Sequence, residues 1–120
     1  MSAILEAIEA YVRAWNERDP AARAKLIEQC WAVDGRLVTR SRTIRGRDAL
    51  DREMAGLQAD PQWKVIRLGK CDAVGTTFRF EGAAERHDGT SAYAFDAGEI
   101  DADGRIVLIL TFPDRFGSDA

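Results

Sequence analysis

AYAFDAGEIDADGRIVLILTF, residues Ala92 to Phe112, is the stretch that decides the fold of this chain. It predicts a long β-hairpin around the turn Asp101 to Gly104, because Asp and Gly tolerate the backbone conformations that tight turns need. The second arm, Ile106 to Phe112, is apolar without alternation, so both of its faces must be covered. In a chain of 120 residues, one layer of helices covers only one face of a sheet. The other face then needs a second subunit.

The hairpin therefore predicts a homodimer formed through the face of the sheet that points away from the helices. Without a partner, this face would expose a large apolar patch. The side chains expected to point outward are Tyr93, Phe95, Leu108, Leu110 and Phe112.

The first arm contains one carboxylate, Asp96, between small and apolar neighbours. Strand alternation places Ala94, Asp96 and Gly98 on one face, opposite Tyr93 and Phe95. If the aromatic side chains face a dimer partner, Asp96 faces the helices and looks into a space left by small side chains. Loss of hydration there would raise its pKa above the ordinary value for Asp.

Composition excludes several classes of partner. The length fits a single domain over residues 1–120, with 46% apolar and 31% charged residues. A net charge of -3 favours neither nucleic acid nor an anionic membrane. No apolar run approaches the ~20 residues of a membrane span. The N-terminus lacks the basic start of a signal peptide, so we expect a cytoplasmic protein.

The reactive side chains argue against a metal or another cofactor. Cys30 and Cys71 occur in unrelated contexts, as expected of free thiols in a reducing compartment. His87 is the single histidine, and no Cys/His cluster accompanies it. We therefore expect neither a metal site nor a cofactor.

Periodicity in the first half predicts three helices. Apolar residues recur at helical spacing from Ile4 to Trp15, and Asp19-Pro20 ends this helix and begins a second one, Ala21 to Cys30. A turn at Asp34-Gly35 and a short strand, Arg36 to Thr39, follow. A third helix begins after Gly46 and ends at Asp60-Pro61.

The second half predicts strands. Trp63 to Leu68 and Thr76 to Glu81 precede the opening hairpin, and Asp88-Gly89 marks a further turn. Phe116 to Ala120 is a polar tail expected to fray. The fold class is therefore α+β, with three N-terminal helices on an antiparallel sheet of about four to five strands.

Three segments in this order resemble the nuclear transport factor 2-like superfamily, which includes SnoaL-type polyketide cyclases and ketosteroid isomerases. They are Tyr11 to Pro20 (YVRAWNERDP), Ile44 to Leu50 (IRGRDAL) and Asp96 to Ile106 (DAGEIDADGRI). The resemblance covers nearly the whole chain. It implies a cystatin-like cone, in which helices close a curved sheet around a cavity, but function on such a fold depends on the cavity lining.

The resemblance also implies roles for individual residues. In ketosteroid isomerase-like members, a Tyr of the first helix and an Asp of the penultimate strand donate hydrogen bonds to a developing oxyanion. Tyr11 and Asp96 occupy these positions. The base position is occupied by Thr39, and Arg40 replaces a Pro common after it. A Thr hydroxyl is not a base at neutral pH without a base of its own, which argues against the isomerase mechanism.

Several of these residues have two interpretations. Tyr11 and Asp96 form either an oxyanion-binding pair or a structural hydrogen bond between buried polar groups. Asp34 is either a substitute base or a turn residue, and His87 is either an acid/base group or a solvated residue beside a hairpin.

The remaining candidates for a ligand site are aromatic and basic. We expect the cavity to be lined by aromatic, apolar and polar side chains from several elements, namely Trp15, Trp31, Thr39, Met54, Phe78, Phe80 and Arg40. A basic run between Arg36 and Arg47 either guards the mouth, where Arg40, Arg42 and Arg45 would bind an anionic group, or forms a solvated surface.

Three functions remain open from the sequence. The first is binding of a small hydrophobic or partly anionic molecule, anchored by Tyr11 and Asp96. The second is a cofactor-independent isomerase or cyclase using acid/base chemistry in the same cavity, which needs a second titratable group there. The third is a structural dimerisation module whose cone is filled by side chains.

Overall fold

The structure is a computed structural model that describes residues 2–113. The expected polar tail, Phe116 to Ala120, lies outside the described residues. The elements in chain order are α1 (Ser2–Asn16), α2 (Pro20–Cys30), β1 (Trp31–Val38), β2 (Thr43–Arg45), α3 (Arg47–Ala59), β3 (Trp63–Val74), β4 (Thr77–Arg86), β5 (Ser91–Ile100) and β6 (Ile106–Pro113). None of the helices in residues 2–113 is both long and apolar enough to cross a membrane.

The helices begin and end near the residues that the sequence predicts. Asp19 caps α2, because its carboxylate accepts a hydrogen bond of 2.9 Å from the backbone N–H of Ala22, and Pro20 occupies the first helical position. Gly46, just before α3, has a φ of 89°, a conformation that other residues rarely adopt.

One buried cation joins the three helices. The Arg23 guanidinium donates to Asp51 Oδ1 at 2.7 Å, to the backbone oxygen of Glu17 at 3.1 Å and to Gln58 Oε1 at 2.9 Å. Gln58 in turn donates to the backbone oxygen of Trp15 at 2.9 Å. This network fixes the end of α1 against α2 and α3, the helices that lie over the sheet.

The sheet has six strands in the order β2-β1-β6-β5-β4-β3. The predicted fold class is confirmed. The sheet is mixed and not purely antiparallel, because β1 pairs in parallel with β6. It has six strands, more than the four to five that the sequence indicates. β2 is a short strand that pairs with the end of β1, with Arg36 opposite Arg45.

The expected turn at Asp34-Gly35 is wrong, because both residues lie inside β1, where the register shifts between Trp31 and Arg36. The strand passes close to the Trp31 side chain at this point. A Cβ at Gly35 would lie 2.7 Å from Trp31 Nε1, which explains the glycine without a turn.

The core lies between the helices and the inner face of the sheet. Ile106 and Ile109 of β6 are fully buried there, against a cluster that includes Ile8, Tyr11 and Ala14 of α1. The helices therefore cover one face of β6, as its unbroken apolar sequence requires.

The outer face of the sheet carries large apolar side chains that no part of residues 2–113 covers. Tyr93, Phe95 and Phe112 are 58%, 46% and 53% exposed. Phe95 and Phe112 are opposite each other in the β5–β6 register, and Leu110 is opposite Ala97. These are the positions at which alternation predicts outward side chains.

Candidate functional site

A cavity of about 530 Å³ lies between the helices and the inner face of the sheet. It is lined by residues from α1, β1, α3 and the four strands β3 to β6, and from the loops beside them. Its lining consists of Tyr11, Val12, Trp15, Leu37, Thr39, Arg42, Arg52, Glu53, Gly56, Leu57, Asp60, Ile66, Arg67, Phe80, Gly82, Ala83, Ala84, Ala92, Tyr93, Ala94, Asp96 and Thr111. The volume is within the usual range for small-molecule sites.

The sheet register brings Asp96 to the inner end of this cavity. Asp96 lies opposite Phe80 of β4 on one side and opposite Thr111 of β6 on the other. These three side chains share the inner face, because residues directly opposite in an antiparallel pair point the same way. With Tyr11 of α1 they form the inner end, and Tyr11, Asp96 and Thr111 supply its polar groups.

Asp96 is poorly hydrated. Burial raises its pKa to about 6, while a hydrogen bond with the Thr111 side chain acts in the opposite direction. Within the part of the chain that the structure describes, Asp96 Oδ1 is buried and has no hydrogen-bond partner. Buried polar atoms are nearly always paired, so this oxygen is an acceptor or donor that an additional group can satisfy.

Tyr11 is held in place by aromatic rings. Its ring stacks on Trp31 at 5.6 Å and meets the edges of Trp15 at 6.2 Å and Phe80 at 6.4 Å. Burial and the nearby charge of Asp96 raise the pKa of Tyr11 well above its usual range, so its hydroxyl keeps its proton. Tyr11 is therefore a neutral hydrogen-bond donor beside Asp96.

The exposed opening of the cavity, here called the mouth, carries charged side chains. Arg42 forms an ion pair with Glu53, and both residues line the cavity. Arg52, the residue before Glu53 on α3, is exposed and also lines the cavity. The charge of Glu53 contributes to the raised pKa of Tyr11, so the mouth and the inner end are electrostatically connected.

Sequence reasoning missed the two α3 residues of the mouth. Helical spacing places Leu50, Met54 and Leu57 on the apolar face of α3, and it does not single out the charged residues between them. Arg52 and Glu53 precede Gly56 and Leu57 by four residues, so all of them share one side of the helix. That spacing is the signal that identifies them once Leu57 is known to line the cavity.

Among the expected lining residues, the structure brings Trp15, Thr39 and Phe80 into the cavity with Tyr11 and Asp96. It does not bring the other expected residues there. Trp31, Met54 and Phe78 are 0%, 0% and 4% exposed and belong to the core beneath the cavity wall. Tyr11 stacks over Trp31, so the Tyr ring occupies the position from which the Trp would reach the cavity.

Arg40 and Arg45 are exposed and do not belong to the lining, in contrast to Arg42. Arg45 lies opposite Arg36 in the β1–β2 pair and shares its side of the sheet, whereas Arg40 and Arg42 belong to the connection between the two strands. Only Arg42 of the basic run reaches the mouth, and its guanidinium is paired with Glu53.

Thr39 shapes a turn. Its hydroxyl donates to the backbone oxygen of Arg42 at 3.2 Å and accepts from the backbone N–H groups of Ser41 and Arg42, each at 3.3 Å. These bonds close the connection between β1 and β2, and none of them links Thr39 to a base. Asp34 and His87 are exposed and do not line the cavity.

Within residues 2–113, no group of three or more His, Cys, Asp or Glu side chains is placed to hold a metal ion. The lining of the cavity offers carboxylates, phenols, hydroxyls and guanidinium groups. Such groups bind ligands by hydrogen bonds and transfer protons.

The arrangement of a helical layer over a curved sheet that encloses a cavity is the nuclear transport factor 2-like fold. Solved structures with this fold are similar to the chain over most of its length. A SnoaL-like family protein from Agrobacterium tumefaciens, with a proposed isomerase assignment, has a TM-score of 0.83 and 29% identity, covering 96% of this chain and 100% of that one.

Two more distant structures show the same fold. A cystatin-like protein of unknown function from Methylobium petroleophilum has a TM-score of 0.81 and 16% identity, covering 98% of this chain and 80% of that one. A hypothetical protein with a ketosteroid isomerase-like fold from Catenulispora acidiphila, in complex with trimethylamine, has a TM-score of 0.67 and 16% identity, covering 88% of this chain and 83% of that one. No family model and no curated sequence matches the chain. The resemblance noted in the sequence is thus confirmed for the fold.

The raised pKa of Asp96 predicts how stability depends on pH. Between the ordinary pKa of ~3.9 and the raised pKa of about 6, the folded state keeps the Asp96 carboxyl protonated, whereas the unfolded state releases the proton. The resulting stabilisation is complete below the lower value and is lost as pH rises through the upper one. Asp96→Asn should therefore match the wild type near pH 4 and exceed its free energy of unfolding near pH 8, by at most roughly 3 kcal/mol.

Urea denaturation across this pH range measures the difference. Asp103→Asn is the matched control, because Asp103 is an exposed turn residue of β5–β6, and this variant should follow the wild type at every pH. A constant offset between Asp96→Asn and the wild type would contradict the burial of an ionisable Asp96.

Proposed function

We propose that this protein binds a small, partly hydrophobic molecule in the cavity and anchors it through Tyr11 and Asp96. The observation that carries the proposal is Asp96 Oδ1, which is buried and unpartnered within residues 2–113. Leaving a buried polar atom unsatisfied costs ~1–3 kcal/mol. A ligand that bonds to this oxygen recovers that free energy, which gives the site a physical reason to bind.

The apolar wall supports the same proposal. Gly82, Ala84 and Ala94 leave room along the strands, and Trp15 and Leu57 face the cavity from the helices. Binding removes water from these surfaces at a gain of roughly 25 cal/mol per Å² of apolar area. The cavity is also too large to count as a filled cone, which argues against a purely structural role.

The protonation of Asp96 determines which ligands fit. At a pH below its pKa of about 6, the Asp96 carboxyl is neutral and donates a hydrogen bond to a ligand carbonyl beside the Tyr11 hydroxyl. Above that value it is ionised, and a carbonyl ligand binds only if the carboxyl first takes up a proton. The affinity for a carbonyl compound should thus fall as pH rises.

A simple ketone tests this anchoring. For 4-phenylcyclohexanone, we expect the dissociation constant to rise by about tenfold per pH unit above 6, since one proton is taken up on binding. Asp96→Asn should bind the ketone without this pH dependence, because an amide donates at every pH. Asp96→Leu should fold and lose the binding.

Chemical shifts in nitrogen-15 spectra measure these affinities. Asp103→Asn should keep the pH dependence of the wild type. If Asp96→Leu bound the ketone as tightly as the wild type, the anchoring role of Asp96 would be rejected.

We also propose that two copies associate through the outer face of the sheet. The exposed aromatic residues Phe95 and Phe112 would lose contact with water in such a dimer, and Tyr93, which also borders the cavity, would lie beside them. The face carries both signs of charge around this patch: Arg36 and Glu99 flank Leu108 in the register of β1, β6 and β5. In a two-fold arrangement the basic side of one copy can meet the acidic side of the other, which a self-complementary interface requires.

Sedimentation equilibrium at micromolar concentration should give twice the chain mass of 13.3 kDa. Phe95→Lys should give monomers, because a charge would be buried at the centre of the interface. Ala24→Lys adds the same charge on an exposed position of α2 and should leave the dimer intact. A monomeric wild type would overturn the proposed assembly.

The free thiols are consistent with a cytoplasmic setting, which we include in the proposal. Cys30 is buried and Cys71 is half-buried, and neither forms a disulfide. Burial raises the pKa of the Cys30 thiol to about 12, so this side chain is an unreactive part of the core.

A second candidate function is acid/base catalysis on a carbonyl compound. The observation that favours it is that Glu53 lines the cavity. The isomerase-type alternative needs a second titratable group in the cavity, and Glu53 is such a group. It would accept a proton from the carbon beside a ligand carbonyl, while Tyr11 and protonated Asp96 donate hydrogen bonds to the enolate oxygen. Return of a proton from Glu53 to the same carbon regenerates the ketone, and in deuterated water the returning proton is replaced by a deuteron.

Exchange of ligand protons with deuterated water separates this candidate from simple binding. If the candidate holds, the wild type should accelerate deuterium uptake beside the carbonyl of 4-phenylcyclohexanone, followed by proton NMR. Glu53→Gln should lose at least about 100-fold of that acceleration, and Glu28→Gln, exposed on α2, should keep it. Binding without any acceleration would reject catalysis and leave the binding proposal intact.

A further inference from the structure

The charges at the cavity mouth do not balance. Arg42 is paired with Glu53, and Arg67 donates to Glu85 Oε2 at 2.9 Å. The remaining carboxylate of the mouth, Asp60, accepts hydrogen bonds from the backbone and side-chain N–H groups of Gln62, each at 3.1 Å. These four charged lining residues therefore already have partners.

Arg52 is the exception among the charged lining residues of the mouth. Within residues 2–113, it forms no hydrogen bond or ion pair, although it lines the same cavity as Asp96. A solvated arginine on a helix surface is ordinary, but this one borders a cavity whose opposite end carries an unsatisfied carboxyl oxygen. The buried Asp96 Oδ1 and the exposed Arg52 guanidinium are therefore two unpartnered polar groups on the lining of one cavity.

The helix around Arg52 also leaves space beside it. Gly56 is one helical turn after Arg52, and a Cβ at Gly56 would meet no atom within 4 Å. Packing therefore does not require a glycine, which in a helix interior costs roughly 1 kcal/mol relative to alanine. The open surface beside Gly56 gives the end of a ligand access to the Arg52 guanidinium.

We propose that the ligands of this cavity are amphiphilic organic anions, with a neutral carbonyl at the inner end and a carboxylate or similar anionic group at the mouth. This inference rests on the proposed binding function and adds the class of ligand. Asp96 and Tyr11 take the carbonyl, the apolar wall takes the body, and Arg52 takes the anionic group. A guanidinium suits this last role because it binds carboxylates with two parallel hydrogen bonds.

The charge of a ligand that the mouth favours differs between the Arg42–Glu53 pair and Arg52. Arg42 and Glu53 neutralise each other, so a ligand anion that approaches them meets no net field, whereas beside Arg52 it meets an uncompensated positive charge. A cationic ligand would be disfavoured there. The pair also keeps the Arg42 side chain from competing with Arg52 for the same anion.

Matched keto acids and keto amides test the inference. The probes are 4-oxocyclohexanecarboxylate and 4-(4-oxocyclohexyl)benzoate, each compared with its primary amide, so that the members of a pair differ in charge and not in length. For at least one pair, we expect the acid to bind the wild type about tenfold more tightly than the amide. This preference should shrink as salt is added, because the mouth is solvent-exposed.

Arg52→Gln should remove the preference for the acid and leave the affinity for the amide unchanged. Arg13→Gln is the control: it makes the same change in net charge on an exposed part of α1 outside the cavity, and it should keep the preference. Isothermal titration calorimetry measures both affinities, and circular dichroism confirms that both variants fold.

The outcomes separate this inference from the function on which it rests. Equal binding of acid and amide by the wild type in both pairs would overturn the anionic ligand class and leave the binding function standing. A preference that survives Arg52→Gln, or that disappears equally in Arg13→Gln, would overturn the role of Arg52. Failure of all four probes and of the simple ketone to bind would overturn both the inference and the binding function.

Discussion

The constraint on which the structure depends is the need to bury β6 on its inner face. This strand lies between β1, its parallel neighbour, and β5, its antiparallel neighbour, and its apolar residues cannot be solvated on either side. The helices cover the inner face and bury Ile106 and Ile109 completely. Further along the strand, Thr111 interrupts the apolar row, and the cavity begins at this residue. The end of the core and the beginning of the site are therefore set by one strand.

The same register gives the site its electrostatic character. Because Asp96 lies opposite Phe80 and Thr111 in the sheet register, its carboxyl points to the inner face of the sheet, where Thr111 is its polar neighbour. Burial then raises its pKa, and its charge acts on Tyr11 across the cavity. Neither effect needs an unusual residue. Both follow from a single carboxylate in the small-residue arm of a hairpin whose large side chains point outward.

Much of the fold can be predicted from periodicity and turn chemistry, since helical spacing, Asp19-Pro20 and the Asp101 to Gly104 turn are local signals. The parallel pairing of β1 with β6 cannot, because it joins segments far apart in the chain. The same long-range pairing explains why Asp34-Gly35 was predicted as a turn: locally it has turn chemistry, and only its packing against Trp31 shows that the strand continues.

In the candidate site, too, local sequence patterns predict some features, and long-range packing decides the others. Alternation predicts the direction of Asp96, and helical spacing predicts Tyr11 and Trp15 on one face. Trp31 was expected in the lining because aromatic residues favour both cores and cavities, and only the stacking of Tyr11 over it decides between them. Arg52 and Glu53 were missed because charged residues on an amphipathic helix normally face solvent. Their position at a mouth depends on where α3 crosses the sheet.

The site depends on Asp96 being a desolvated carboxyl that faces the cavity. Carbon-13 NMR of its side-chain carboxyl carbon across pH, assigned by comparison with Asp96→Asn, measures this desolvation. We expect a titration midpoint of about 6, which should move upward when a carbonyl ligand binds and stabilises the neutral form. A midpoint near the ordinary ~3.9, unchanged by such a ligand, would show that Asp96 is solvated and does not anchor a ligand.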